Sequence, residues 1–313
     1  MNDILDSFFI DSFTTSYAFG NMLNSACLLM LAGIGACFAN KSGHMNLGGE
    51  GQIYLGGYVA ALILASSWQV HPSLLFIIAL LTSLLVGIMM ALISALLYEK
   101  RGALVLLTTF ILSSAVIPLI DGAIVDSNRK TGSNLLATPF IRKEFRLQQL
   151  LAPSPLNISF FIALLLCILA FFFLYKTYSG RKMQIWGTAP LFARYSGYRS
   201  EENTVTALSL SGAFHALTGF VAVVGTYYTC HKSFAAGMGW NALSASLIAQ
   251  SNPLLLIPSS LVLAWLYTSA DRVALTQGIA FDIGGIIQGI ILFAVAFPTI
   301  LKKQKPLLRG NSK

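Results

Sequence analysis

Asn46-Leu47-Gly48-Gly49-Glu50-Gly51-Gln52 stands at the head of a long apolar run, Ile53 to Ala65. It sets a carboxylate and two amides among three glycines. An ionised carboxylate inside a bilayer costs about 2.5–3.5 kcal/mol on insertion scales, so chains keep one where a partner or polar cavity compensates. Glycines let backbones approach closely, or let a helix break and present its main-chain polar groups to a route. A polar, breakable segment within a membrane span is what translocation needs. Two roles remain open for Glu50: lining a pathway and touching a polar solute, or anchoring a helix start through the amides of the Gly48–Gln52 turn. The anchor is the simpler role, and Asn46 and Gln52 supply hydrogen bonds in either. Trp240 and Asn241 join Asn46, Gly48, Gly49, Glu50 and Gln52 as candidates for the pathway wall.

The other chemistry-bearing residues are more isolated. His215 lies mid-run with Ser211 and Thr218 at helical spacing, which fits a packed, hydrogen-bonded histidine better than a solute or proton contact. Trp240, Tyr227 and Tyr228 read as interfacial aromatics, with stacking on a flat ring solute as the alternative. Cys27, Cys37 and Cys167 fall inside apolar runs and Cys230 at the end of one. They lack paired ligand spacing, so no metal is expected and they read as small packing residues. No Gly-x-x-x-x-Gly-Lys-Ser/Thr, His-Glu-x-x-His or Gly-x-Ser-x-Gly motif occurs. The chain is therefore expected to hold no ATP, to need no cofactor and to be no enzyme. Its energy would come from another chain or an ion gradient.

The elements that must position these groups follow from composition. Of 313 residues, 56% are hydrophobic and 10% charged, far from the soluble average. The fold expected is an all-α, polytopic membrane helix bundle, one domain over 1–313, with about nine (8–10) transmembrane segments. The spans fall at 17–38, 49–68, 73–97, 103–122, 157–175, 205–229, 238–250, 254–270 and 283–301. The seventh is short and ends at Asn252-Pro253, where proline stops one helix and restarts another. Basic residues Lys176 to Arg199 and Lys302 to Lys313 place two connections on the cytoplasmic side, by the positive-inside rule. An even number of crossings must separate them, so 238–250 has to cross, as a short or re-entrant helix. The acidic N-terminus, with Asp3, Asp6 and Asp11 and no basic n-region, then lies outside without a cleavable signal. The connection 123–156 also falls outside despite Arg129, Lys130, Arg142, Lys143 and Arg146. It either faces a partner or is a solvated connector with a surface helix near 141–151. The net charge of +8 records topology and lipid contact, and does not imply nucleic acid.

Three passages give the chain a resemblance. Gly43-His44-Met45-Asn46-Leu47-Gly48-Gly49-Glu50-Gly51-Gln52 is similar to the Asn-x-Gly-x-Glu-Gly-Gln signature of nucleoside-type permeases. Gly187 to Gly197 is similar to a cytoplasmic loop with an Ala-Arg-Tyr-x-Gly core. Gly237 to Leu247, followed by Asn252-Pro253, is similar to a third passage, with Ala242 where glycine is common. Together they cover about residues 25 to 300. The chain resembles the membrane permease subunits of bacterial ABC importers, in the branch of branched-chain amino acid, ribose and nucleoside permeases. The resemblance implies a multi-pass protein of the bacterial inner membrane. It also implies three partners: a cytoplasmic ABC ATPase, a second permease subunit (identical or related) and an extracytoplasmic substrate-binding protein.

Within 187–199, Pro190 suits a first helical turn and Gly197 its end. This short helix displays Phe192 and Tyr195 on the basic side, either as a knob for a partner's groove or lying on lipid headgroups beside Arg194 and Arg199. The resemblance implies the first: a coupling helix gripped by the ATPase through Ala189, Pro190, Phe192, Ala193, Arg194, Tyr195 and Gly197. The rival is a secondary transporter driven by an ion gradient, with Glu50, Asp282 or His215 as the ion-linked group. Asp282-Ile283-Gly284-Gly285 faintly echoes Asn46 to Gly49, a hint of related halves. For the solute, the signature ranks a purine nucleoside first, riboflavin second and a simple sugar third.

Overall fold

The structure is a computed structural model that describes residues 11–276 apart from 132–134 and 236, with Phe8 and isolated positions between 285 and 294. Its regular structure is helical: α1 Ser16–Lys41, α2 Gly49–Ala65, α3 Pro72–Arg101, α4 Val105–Thr131, α5 Ser159–Lys176, α6 Tyr178–Thr188, α7 Pro190–Tyr195, α8 Ser200–Ala222, α9 Met238–Ile248 and α10 Pro253–Thr276. Among the described residues the only β-type pairing is two isolated bridges, Ala137 with His231 and Gln149 with Asn157.

Among the described residues six helices are long and apolar enough to cross a membrane: α1, α3, α4 (to Ser127), α5, α8 (carried on to Tyr227) and α10. Helix α2, with 17 residues, occupies the expected 49–68 segment. Helix α9, with 11 residues, occupies 238–250. The expected span at 283–301, the echo at Asp282 and the basic tail lie outside the described residues.

Helix ends follow from local chemistry. Thr15 Oγ1 caps α1 by accepting from Ala18 N at 3.2 Å, satisfying an orphan amide. Pro72 opens α3, and Gly102 at φ 67° closes it. Asn252 Oδ1 accepts from Leu254 N at 3.0 Å and caps α10, which starts at Pro253.

Helix α1 is the most enclosed, packed by α10, α9, α5 and α8. Helix α8 lies against α3, α2 and α1, and small residues bring it close. A Cβ on Gly87 would stand 2.4 Å from Gly212 O, and one on Gly56 2.6 Å from Ala216 O. Without lipid-to-water transfer to drive helices together, such contacts are how membrane helices associate. One apolar core gathers Met30, Ile34, Cys37, Leu174 and Leu256. A second gathers Ile53, Tyr54, Leu75, Phe220 and Phe234. All four cysteines are buried and free.

Helix α8 ends in a π-helical turn, Val223–Tyr227, and Tyr228 takes φ 59°. The chain then runs as an irregular strap, turning at residues 232–235, and is held by the 135–158 connection. Thr138 N donates to Cys230 O at 2.9 Å, Ile141 N to Tyr228 O at 2.9 Å and Lys232 N to Leu136 O at 2.8 Å. The surface helix expected near 141–151 does not form; only one 3₁₀ turn, Lys143–Phe145, is present. Backbone amides there bond across to the α8 exit, and Ile141 and Phe145 are buried, so packing inward wins over a solvated helix.

Candidate functional site

Residues 42–48 return from the end of α1 into the bundle and start α2. Two neighbours present polar pairs to this segment at i,i+4 spacing, which places each pair on one helix face: Ser211 and His215 on α8, and Thr109 and Ser113 on α4. Leu47 N donates to Thr109 Oγ1 at 3.1 Å and Gly51 N to Ser113 Oγ at 2.8 Å. These satisfy amides that a helix start leaves orphaned.

The side chains then order one another. Gly48 N–H donates to Asn46 Oδ1 at 2.8 Å, which fixes the Asn46 amide with its Nδ2 as donor. Asn46 Nδ2 donates to Gln52 Oε1 at 3.0 Å and Ser211 Oγ at 2.9 Å. Gln52 Oε1 is therefore an acceptor, and His215 Nδ1, 2.8 Å away, must carry the proton. A backbone amide thus sets the tautomer of a histidine on another helix. Asn46, Gln52 and His215 are all buried.

Glu50 faces the other way. Its Oε1 accepts from Gly237 N at 2.6 Å, and the Trp240 indole also donates to its carboxylate. Gly237, at φ 78°, is the N-cap of α9, so the carboxylate sits at the positive end of a helix that begins inside the bundle, a favourable placement. The close approach needs glycine: a Cβ on Gly239 would stand 2.5 Å from Glu50 N. A cleft of about 10 Å³ lies beside Asn46, Glu50 and Trp240, room for one water. The far end of α9 meets the second half of α1, where Asn40 Nδ2 donates to Ser246 Oγ at 3.3 Å.

The structure therefore brings Asn46, Gly48 and Gln52 into one network and sets Glu50 and Trp240 in a separate group at the start of α9, with Gly49 packed between His215 and Gly239. Asn241 is separate, lining a cavity with Tyr267 and Tyr227. Sequence reasoning missed Thr109 and Ser113, whose i,i+4 hydroxyls were the available signal. It also missed Asp121, an acid inside an apolar run. Asp121 Oδ1 accepts from Tyr54 OH at 2.5 Å and from Ser233 N at 3.3 Å, tying α2, α4 and the strap together.

The 187–199 passage divides between two helices. Gly187 lies in the last turn of α6, which ends at Thr188; Pro190 opens the six-residue α7, and Gly197 follows at φ 80°. Ala193 is buried, whereas Leu191, Phe192 and Tyr195 are 70%, 61% and 89% exposed. The end of α6 rests on the segment that leads to Asn46: a Cβ on Gly187 would stand 2.2 Å from Lys41 O and 2.9 Å from Gly43 N. Beside it, Ser200 and Thr204 hydroxyls donate to Glu99 at 2.9 and 2.7 Å. His44 Nε2 lies 3.0 Å from the Thr204 hydroxyl. Burial pushes the His44 imidazole below its usual value, and the Glu99 charge partly opposes this.

Comparison with known proteins places this geometry. The chain is 35% identical over 296 residues to the "Probable riboflavin import permease protein" of Treponema pallidum, covering 93% of this chain and 78% of that one. It is 25% identical to a guanosine ABC transporter permease protein of Bacillus subtilis, over 90% and 81% of the two chains. It is 22% identical to a nucleoside ABC transporter permease protein of Lactococcus lactis, over 96% and 85%. The solved structure of PsaBC from Streptococcus pneumoniae in complex with Fab matches with a TM-score of 0.50 at 16% identity, over 96% and 94% of the chains; this is a likeness of fold. Residues 18–296 match the family described as branched-chain amino acid transport system / permease component. The chain belongs to that family and is an ABC transporter permease, a multi-pass membrane protein.

Proposed function

We propose that this permease, as one domain spanning residues 1–313, pairs with a second permease subunit in a bacterial inner membrane to form the pathway of an importer. A cytoplasmic ATPase supplies the energy, and an extracytoplasmic binding protein delivers the solute. Helix α7 is the coupling element. The observation that carries this reading is the exposure of Leu191, Phe192 and Tyr195 on a short helix among basic residues. Large apolar side chains offered together to water mark a protein interface, and aromatic ones are the residues on which interfaces depend most. The contact of Gly187 with Lys41 and Gly43 would pass movement of α6 and α7 to the 43–48 segment and so to Asn46.

In this reading Glu50 is an anchor, holding the start of α9 to the start of α2 through Gly237. The pathway wall proposed around Asn46, Gly48, Gly49, Gln52 and Trp240 is built on that joint. The solute is a nitrogen heterocycle carrying a polyhydroxylated chain. Riboflavin comes first, because the relative named for it shares 35% identity; a purine nucleoside follows, at 25%.

The test is uptake by proteoliposomes holding the full permease with its ATPase and binding protein. ATP-dependent uptake of riboflavin or guanosine is expected, with no uptake of ribose. Changing Phe192 and Tyr195 together to alanine should abolish it while leaving membrane insertion normal. Full-rate uptake by that variant would refute the coupling role. Uptake driven by an ion gradient without ATP would refute the energy source.

A further inference from the structure

Near the outer ends of α1 and α10 two cavities meet. The outer one, about 240 Å³, is lined by Tyr17, Asn21, Asp271 and Arg272 among others. The inner one, about 160 Å³, reaches Tyr227, Asn241 and Tyr267. Both are bounded by Thr268 and Asp271, so the two are adjacent. Each alone is smaller than the roughly 300–1,000 Å³ of small-molecule sites, and together they fall within that range.

Two polar atoms at the inner cavity have no partner within the protein: Asn241 Oδ1 and the Tyr267 hydroxyl, both shielded from solvent. Tyr267 is only 9% exposed. Buried polar groups are nearly always hydrogen-bonded, and one left unmet costs about 1–3 kcal/mol. Finding two at one cavity is an arrangement that a ligand would complete. One is an acceptor and the other a donor. Tyr227 adds an aromatic wall, held edge-on by His231 and Phe234 at ring separations of 5.2 and 5.4 Å.

We propose that this cavity pair is a binding site within the permease for a planar heterocycle with a ring N–H beside a carbonyl. Both unpartnered atoms are closed off from the cavity in the free chain, so binding turns their side chains toward it: the ring N–H then donates to Asn241 Oδ1, the carbonyl accepts from Tyr267, and the hydroxylated chain lies in the outer cavity by Asn21 and Asp271. The inference rests on the proposed solute class and adds the edge that is recognised and the residues that recognise it. It also gives Asn241 a task distinct from the Glu50 joint.

The experiment is calorimetric titration of the full permease–ATPase complex in nanodiscs, without binding protein. The probes are riboflavin and guanosine, each compared with its ring N-methyl derivative. The N–H form is expected to bind about fivefold more tightly than the methylated form, the worth of one neutral hydrogen bond. Tyr267→Phe, which keeps the ring, and Asn241→Leu should each weaken the N–H form by about fivefold. Asn241→Leu should also erase the preference over the methylated form, while melting temperature stays unchanged. Equal affinity for N–H and methylated forms, or wild-type affinity in both variants, overturns the site. A complex that binds neither probe, yet takes them up in the proteoliposome assay, overturns the site and leaves the proposed function standing. Uptake of ribose alone brings down both.

Discussion

The Asn46–His215 network and helix α7 lie at two ends of one short backbone path, and their burial is inverted. At one end amides, hydroxyls and an imidazole are enclosed and bond to each other. At the other, Leu191, Phe192 and Tyr195 stand in the open. Enclosed polar groups that bond one another define geometry, each fixing its neighbour's orientation, while Gln52 Nε2 is left buried with no partner. Exposed apolar groups define nothing within the chain and gain energy only when another surface covers them. The contrast teaches that the glycine-rich segment serves the fold's internal alignment, whereas α7 contributes an exposed apolar surface, the surface assigned to a partner in the proposed function.

The sharpest way to break this contrast is to truncate α7. Phe192→Ala with Tyr195→Ala should lower ATP-dependent uptake by at least about 30-fold, as expected for interface anchors. The melting temperature of the purified permease should not move, since both side chains are exposed at the surface of the chain. Loss of stability would show that α7 packs within the chain after all. Asn46→Leu should act in reverse. It strips the Gly48 amide of its acceptor and Gln52 and Ser211 of a donor, and should destabilise by about 3 kcal/mol or more, read by thermal unfolding in detergent. A stable Asn46→Leu permease would mean the network is not what aligns the segment.

Glu50 permits a finer cut. Glu50→Ala should cost about 2 kcal/mol by uncapping α9, and Glu50→Gln less, because it keeps an acceptor for the Gly237 amide. Equal uptake by Glu50→Gln and wild type, with Glu50→Ala impaired, supports an anchor; a Glu50→Gln variant with normal stability and no uptake makes the charge itself functional. The smallest effect is at His44. Burial lowers its proton affinity in the folded chain, so the unfolded chain binds the proton more readily. The stability gained from a neutral His44 is intact above its ordinary value near 6.5. It is lost as pH falls from there toward the lower folded value. His44→Gln should flatten that part of the melting profile between about pH 7 and 5; an unchanged slope would show that another group titrates there.

Some of this was legible in the sequence and some was not. Asn46, Glu50 and Gln52 stood out because polar residues at the head of an apolar run are a local, countable oddity. Ser211 and His215 declared a shared face through their spacing. Thr109 did not, because a hydroxyl in a helix commonly bonds its own backbone, and Thr109 also donates to Val105 O at 2.8 Å. A short helix at 238–250, where α9 lies, was expected from counting cations, a rule about the whole chain. The strap from Tyr228 to Ala235 was invisible for the opposite reason: its partners, among them Thr138 and Leu136, lie about a hundred residues earlier, and pairing at such range leaves no periodicity. The helix expected near 141–151 lost to that same pairing. Tyr267 looked ordinary, since only the structure reveals that its hydroxyl finds nothing to bond.

The contact between Gly187 and the Lys41–Gly43 turn has a mechanical meaning. Main chain meets main chain there, so no rotamer can swing aside and no flexible stem can bend under load. A strut of this kind has almost no compliance: a displacement arriving from α6 would leave toward Asn46 with its amplitude intact. In the proposed coupling, the stroke at the far end would be set by how far a partner moved α7.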